Sequence, residues 1–130
     1  MTTAEALRLL APLVRRTYDD RPGERCWAPV RDGLRLLGVA MPDRYEDAAG
    51  MGRSLGRAGA RFARLGDVVF LEGRVNPGES RGEHVGLCLG DGRFLHATRD
   101  HGVVVDRLAP LVRAGLVVDL ARPAPLEDAP

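Results

Sequence analysis

The sequence lacks any apolar run approaching the ~20 residues that a helix needs to cross a bilayer, and its formal net charge is only +1 at pH 7. Lysine, isoleucine and glutamine are absent, so arginine supplies every basic side chain, a bias that we attribute to GC-rich codon usage. With 45% hydrophobic and 28% charged residues, the composition is that of a globular protein without a global charge to attract nucleic acid or membranes. A chain of 130 residues predicts one domain.

Cysteine is also scarce, since Cys26 and Cys88 are the two in the chain. Two thiols in a cytosolic protein are more often free than bridged, and they are too few for a zinc cage without several histidines close by. The segment MTTAEALRLLAPLVRR places an acid before its apolar stretch and arginines after it, the reverse of a secretory signal. We therefore expect synthesis in the cytoplasm without a signal peptide, and we expect neither a metal nor an organic cofactor.

Two helical patterns occupy the first part of the chain. The first has apolar residues at the spacing of one helix face: Leu7, Leu10, Ala11 and Val14. Pro12 lies inside this run and predicts a kink or a break. The second pattern covers 28–37, with apolar residues on one side, and Gly38 is expected to end it. Residues 43–64 are rich in alanine, arginine and glycine, and they predict short helical pieces or an ordered loop.

Beyond Gly66 the pattern changes to strands. Apolar runs separated by turn-forming residues predict strands in DVVFLEG, EHVGLCLG, RFLHAT, VVVDRL and LVVDLA, with a short helix in LAPLVRAG. Helices followed by an antiparallel sheet predict an α+β fold. We assign residues 1–121 to the domain and residues 122–130, which include RPAPLEDAP, to a flexible C-terminal tail.

The segment EHVGLCLGDGRFLHAT places His84 and His96 on either side of a tight turn. A two-residue turn would put the two histidines on opposite sides of the sheet, whereas a three-residue loop over 90–92 puts them on one side. We favour the latter, because Gly92 can supply the positive φ that this loop needs. In this register Gly86 faces His96 and leaves space beside its imidazole. That side of the hairpin carries no charged residue, which argues against the alternative that it is simply a solvated face.

Cys26 is the candidate nucleophile. It lies just before the 28–37 helix, where unpaired amides and the helix dipole favour a negative charge, and Arg25 beside it favours the thiolate further. A histidine within hydrogen-bond reach would complete a Cys–His pair, and a second polar group would set the tautomer of that histidine. The competing interpretation is an ordinary buried cysteine. We assign such a structural role to Cys88, and we expect His101 at the surface.

Taken in order, these segments resemble the NlpC/P60 family of papain-like cysteine peptidases. RCWAPVRDGLRLLGVAMPDRY is similar to the nucleophile helix, particularly in the Cys-Trp form of members from phage tails. LGDVVFLEG is similar to the following strand, HVGLCLGDGRFLHAT to the two-histidine hairpin, and GVVVDRL to the strand after it. The resemblance implies a papain-like fold in which N-terminal helices pack on a central antiparallel β-sheet.

The resemblance also implies roles for individual residues. Cys26 would be the nucleophile, His84 its general base, and His96 the group that orients His84. Members of the family typically cleave peptidoglycan stem peptides, often after D-glutamate, and many have a tyrosine near the oxyanion. Tyr18 is the candidate for that role, and Trp27 is a second candidate for substrate or oxyanion contact.

The flanks of the nucleophile depart from the family pattern. The family usually has aspartate before the cysteine and Ser-Gly or Trp-Gly after it, whereas Arg25, Trp27 and Ala28 stand here, after a shortened approach, DDRPGER. This keeps open a structural tail-tip or tail-assembly protein with weak or no activity. The second histidine argues against the related CHAP amidases.

The biological setting is inferred from the same resemblance. The Cys-Trp pair, together with no export signal and no wall-binding repeat, implies a component of a phage tail or tail-like particle. Such a protein would associate with tail-tip or baseplate hub proteins and act on peptidoglycan at the bacterial cell wall. A free-standing cytoplasmic enzyme is the alternative.

Overall fold

A computed structural model describes residues 1–48, 52–73 and 75–123. The predicted tail therefore lies outside the described residues from position 124 onward. Within the described part of the chain, no helix is both long and apolar enough to cross a membrane.

The N-terminal helix is short because a proline follows it. Helix α1 spans Thr3–Leu10, and Thr2 caps it by accepting a hydrogen bond from the backbone N–H of Glu5 at 3.1 Å. A 3₁₀ turn over Ala11–Leu13 follows directly, so the predicted break at Pro12 is confirmed.

Helix α2 spans Trp27–Leu36 and packs on the sheet. It begins one residue before the predicted start, and Gly38 ends it with φ +88°, as expected. A turn precedes the helix, in which the N–H of Ala28 donates to the carbonyl of Glu24 at 2.7 Å. Cys26 is the N-cap residue of α2.

The middle of the chain forms short elements. Helix α3 spans Tyr45–Ala48 and a second 3₁₀ helix spans Arg57–Phe62, in agreement with the short helical pieces predicted there. Strand β1, Gly52–Ser54, was not predicted. It is an edge strand of three residues, too short to show an alternating apolar pattern. Its partner is the last described strand, which lies far away in the sequence.

The remaining described elements are β2, Val68–Leu71; β3, His84–Cys88; β4, Arg93–Thr98; β5, Gly102–Arg107; α4, Ala109–Arg113; and β6, Val117–Pro123. The described strands form one antiparallel sheet in the order β1-β6-β2-β3-β4-β5, which confirms the α+β prediction.

The buried side chains of the central strands belong to two hydrophobic clusters. One joins α1 and α2 to the sheet, with members that include Leu10, Leu34, Val85, Leu87 and Leu95. The other includes Val69, Leu71, Cys88, Phe94 and Leu120. Alternate residues of a strand point to opposite faces of a sheet, so strand β3 is buried on both faces. Packed side chains therefore surround this strand of the hairpin on both faces.

Strand β6 continues two residues past residue 121, the expected end of the domain. Arg122 and Pro123 belong to β6. The guanidinium of Arg122 donates to both carboxylate oxygens of Asp67, at 2.8 and 3.0 Å, and Asp67 is only 1% exposed. A buried carboxylate needs such a partner, and this requirement fixes the end of the strand.

We expect Arg122→Ala to lower the free energy of unfolding by about 2 kcal/mol, because it removes two donors from a buried carboxylate. Urea denaturation followed by circular dichroism measures the change. Arg53→Ala is the matched control, since Arg53 is exposed and pairs with Arg122 in the sheet register. Equal stability of the two variants would show that Arg122 is not needed by the fold.

Candidate active site

The hairpin has the register that places both histidines on one side. Leu87 pairs with Leu95 and Cys88 with Phe94, which leaves a three-residue loop over 90–92. Gly90 and Gly92 in this loop have φ +89° and +85°. The preference for the three-residue loop is therefore confirmed.

His84 and His96 contact each other directly. His84 Nε2 lies 2.8 Å from His96 Nδ1, and the ring planes are nearly perpendicular, at 88°. The space predicted beside Gly86 is not open: a Cβ built there would lie 2.6 Å from Cδ2 of Phe94. The Phe94 ring also lies 4.3 Å from that of His96, centroid to centroid, so this phenyl group fills the space and supports the imidazole.

The thiol of Cys26 meets this histidine pair at the start of α2. Its Sγ lies 3.2 Å from His84 Nδ1, and the residue is 4% exposed. The structure thus brings Cys26, His84 and His96 together. Cys88 is buried in the cluster that contains Phe94, and His101 is exposed, both as expected.

Sequence reasoning missed Asp106, the next member of the chain of contacts. Its Oδ2 lies 2.6 Å from His96 Nε2. In the register of β4 and β5, Asp106 pairs with Phe94 while His96 pairs with Val104, so Asp106 shares a side of the sheet with His96. The alternation in VVVDRL contains this signal, but it can be used only once the register is known.

These contacts determine which ring nitrogen of each histidine carries a proton. Burial lowers the pKa of His96, with Asp106 opposing, so His96 is neutral and carries one ring proton. Asp106 accepts that proton from Nε2, and Nδ1 of His96 must then accept from Nε2 of His84. Nδ1 of His84 is therefore the nitrogen left for Cys26 and Glu79, and it acts as a general base toward Cys26 only when it carries no proton.

Glu79 is the second residue that sequence reasoning missed. Its Oε2 lies 2.7 Å from Sγ of Cys26 and 2.8 Å from Nδ1 of His84, while its Oε1 accepts from the backbone N–H of Asn76 at 2.6 Å. The amide of Asn76 in turn donates to the carbonyl of Ala97 at 3.0 Å. Because Glu79 belongs to the loop between β2 and β3, no periodicity in VNPGES indicates where its carboxylate lies.

The carboxylate of Glu79 controls the charge of this site. Burial raises its pKa, but the hydrogen bonds from His84 and Cys26 outweigh burial and leave that pKa below its ordinary value. Burial, together with the hydrogen bond to Glu79 and its charge, raises the pKa of Cys26 to about 12. The expectation that Cys26 favours the thiolate was therefore wrong for this state of the site. The Arg25 side chain is about half exposed and lies 3.9 Å from Asp20.

The helix start also differs from the expectation of free amides. Cys26 already has helical φ and ψ, and the N–H of Ala28 is occupied by Glu24. Arg25, the residue before the nucleophile, has φ +21°, which is unusual for a residue with a side chain. Backbone strain of this kind is common next to reactive residues.

Tyr18 and Trp27 differ in their surroundings. Burial is the largest cause that raises the pKa of Tyr18, and Cys26 and Glu79 raise it further. The Arg99 guanidinium lies 5.6 Å from the centre of the Tyr18 ring. Trp27 is buried, and its ring meets Tyr45 edge-on at 5.4 Å. A substrate or oxyanion role for either residue stays a prediction.

Donor atoms that could hold a metal also meet in this site. One atom each from Cys26, Glu79 and His84 lies within 4.8 Å of the others. The arrangement as a whole offers a thiol, an imidazole oriented by a second imidazole, and carboxylates at both ends of the chain of contacts.

Comparison with known proteins agrees with this geometry. The NlpC/P60 family matches residues 18–114. Among solved structures, the chain is similar to the P60 domain of antigen MAP1204 from M. avium subspecies paratuberculosis, with a TM-score of 0.60, 21% identity, and coverage of 92% of this chain and 93% of that one. No curated protein sequence matches the chain.

Two longer proteins share the fold over part of their length. An NlpC/P60 family protein from Bacillus cereus has a TM-score of 0.68 and 16% identity, covering 96% of this chain and 41% of that one. The peptidoglycan hydrolase RipB from Mycobacterium tuberculosis has a TM-score of 0.56 and 22% identity, covering 92% and 65%. The chain therefore spans less than two thirds of either protein.

We expect Glu79→Gln to speed alkylation of Cys26 by iodoacetamide at pH 8 in the presence of a chelator. Removing the carboxylate lowers the pKa of the thiol and leaves Cys26 as the partner of His84. The gain is roughly threefold to tenfold, because a thiolate of lower pKa is also less nucleophilic. Peptide mapping by mass spectrometry measures the rate at each cysteine.

Two controls accompany this variant. Glu83→Gln makes the same chemical change at an exposed position one residue before His84, and it should leave the rate unchanged. Cys88, whose pKa burial and the charge of Asp67 raise to about 12, is an internal reference. An unchanged rate at Cys26 in Glu79→Gln would show that Glu79 does not suppress the thiolate.

Proposed function

The chain belongs to the NlpC/P60 family, and on that premise we propose that it is a cysteine peptidase that hydrolyses an amide bond of peptidoglycan stem peptides. The observation that supports this most strongly is the unbroken series of contacts from Cys26 through His84 and His96 to Asp106. The similarity to RipB, which is described as a peptidoglycan hydrolase, supports the substrate class.

The proposed reaction proceeds through an acyl-enzyme. Once the carboxylate of Glu79 has been displaced and Nδ1 of His84 carries no proton, Sγ of Cys26 attacks the carbonyl carbon as its proton passes to that nitrogen, which lies 3.2 Å away. The C–N bond then breaks, and His84 returns the proton to the leaving amine. Water, deprotonated by His84, cleaves the thioester and regenerates the thiol. The same nitrogen, Nδ1 of His84, thus acts as a base in one step and as an acid in the next.

The remaining groups stabilise charge during this reaction. When His84 becomes an imidazolium, its Nε2–H donates to His96, and the carboxylate of Asp106 offsets the positive charge through His96. The phenol of Tyr18 is the candidate donor to the oxyanion, because the family resemblance assigns a tyrosine to this role. Trp27 is a weaker candidate for contact with the substrate.

We place the enzyme in a phage tail or tail-like particle, where tail-tip or baseplate hub proteins carry it to the cell wall. The Cys-Trp sequence at the nucleophile, which resembles the form found in tail members of the family, supports this setting. No organic cofactor and no nucleic-acid or membrane partner enters the proposal.

A structural tail-tip or tail-assembly protein is the second candidate. The observation that favours it is the carboxylate of Glu79, which contacts both Cys26 and His84 and holds the thiol protonated. If that carboxylate never leaves, the papain-like fold serves as a binding module without turnover.

Cys26→Ala should abolish release of peptide fragments from purified peptidoglycan, because no other thiol contacts His84 in the described part of the chain. Mass spectrometry of the muropeptides measures the products. Cys88→Ala is the matched control and should retain activity, since Cys88 lies in the opposite cluster. Equal digestion by the wild type and Cys26→Ala would exclude the cysteine mechanism, and no digestion by either would favour the structural protein.

Asp106→Ala should lower kcat by roughly tenfold to a hundredfold and leave KM nearly unchanged, because Asp106 orders the ring protons without contacting substrate. Steady-state hydrolysis of a stem-peptide substrate measures both constants. Asp106→Glu should recover part of kcat, whereas Asp100→Ala, in the exposed β4–β5 turn, should resemble the wild type. A rise in KM at constant kcat would contradict this positioning role.

A further inference from the structure

We infer that Cys26, Glu79 and His84 form a binding site for a soft divalent cation, of which Zn²⁺ is the best fit, and that an occupied site blocks the nucleophile. Binding of the cation stands independently, while the blocking of catalysis rests on the proposed function. The scarcity of cysteine argues against a closed four-ligand cage, but it leaves a three-ligand site with an open position.

The donor atoms converge at the distances such a site needs. Sγ of Cys26 and Oε2 of Glu79 are 2.7 Å apart, Sγ and Nδ1 of His84 are 3.2 Å apart, and Oε2 and Nδ1 are 2.8 Å apart. Zinc bonds of roughly 2.0–2.3 Å in a tetrahedron separate neighbouring donors by roughly 3.3–3.8 Å. To reach this size, the two edges that end at Oε2 of Glu79 lengthen by roughly 0.5–1 Å, and the edge between Sγ of Cys26 and Nδ1 of His84 lengthens by a few tenths of an ångström.

The groups behind these donors already orient them as in metal sites. A histidine ligand usually donates its other N–H to a neighbouring acceptor, which fixes the ligating nitrogen. Here Nε2 of His84 donates to His96, and Asp106 completes the series, so Nδ1 is directed at the thiol. Oε1 of Glu79 is held by the N–H of Asn76 at 2.6 Å, which leaves Oε2 for the cation.

Charge balance also favours a dication. In their ligating forms a thiolate, a carboxylate and a neutral imidazole carry a total charge of −2, which Zn²⁺ neutralises. This matters because the thiol and imidazole are 4% and 0% exposed, and an uncompensated charge there is costly. On binding, the S–H proton and any proton on Nδ1 of His84 are released to solvent, and the freed lone pairs of sulfur and nitrogen form the metal bonds. Water takes the fourth position, and the sulfur is no longer available for attack.

Titration of the purified full-length chain with Co²⁺, a spectroscopic substitute for Zn²⁺, tests the site without any need for turnover. We expect one Co²⁺ per chain with a thiolate-to-cobalt charge-transfer absorption in the near ultraviolet, displaced by Zn²⁺. Cys26→Ser should abolish that absorption. Glu79→Gln should weaken Co²⁺ binding roughly tenfold or more, since it removes an anionic ligand.

Two matched variants separate this site from other donors. Cys88→Ser and Glu83→Gln should both bind Co²⁺ as the wild type does, and circular dichroism verifies that every variant is folded. Absence of the charge-transfer band in the wild type, its persistence in Cys26→Ser, or equal affinity in Glu79→Gln would overturn the inference.

Muropeptide hydrolysis, measured separately with a chelator and with added Zn²⁺, distinguishes the two claims. Hydrolysis that proceeds equally under both conditions would overturn the blocking. Co²⁺ binding without hydrolysis under either condition would count against the proposed function while leaving the cation site intact.

Discussion

The site depends on the hydrogen bond between Asp106 and His96. An acceptor at 2.6 Å fixes the single proton of His96 on Nε2, so its Nδ1 can only accept. That in turn draws a proton of His84 to Nε2 and directs Nδ1 at Cys26. The double burial of β3 and the Phe94 ring beside His96 hold these rings in place. The proposed reaction and the inferred cation site both need this order, because each uses the Nδ1 of His84.

Glu79 gives this site a resting state that differs from a simple Cys–His pair. Its carboxylate accepts a hydrogen bond from the Cys26 thiol and contacts the His84 imidazole. The negative charge beside His84 therefore lies on an oxygen of Glu79 and not on the sulfur of Cys26. In the proposed reaction, substrate binding must therefore displace or outcompete one carboxylate before the thiolate forms. The loop that carries Glu79 is anchored through Asn76 to the carbonyl of Ala97 in β4. Nucleophile activation is thereby coupled to the position of a surface loop.

Sequence patterns predicted the parts of the structure that local rules determine. Proline and glycine marked the ends of α1 and α2, and the loop at Gly90–Gly92 set the register that aligns the two histidines. What escaped prediction depends on contacts between distant segments. Strand β1 exists because β6 pairs with it, Asp106 matters because of the β4–β5 register, and Glu79 reaches Cys26 through an irregular loop. The thiolate expectation failed for the same reason, since burial and Glu79 outweigh the helix start.

The order of protons on the histidines is the central claim, and ¹⁵N NMR of the histidine-labelled chain tests it most directly. The chain has three histidines, and the exposed His101 provides the reference for an unconstrained ring. The account predicts that Nε2 is protonated on both His84 and His96, and that Nδ1 of His96 is not. A proton on Nδ1 of His96, or on Nδ1 alone of His84, would contradict it.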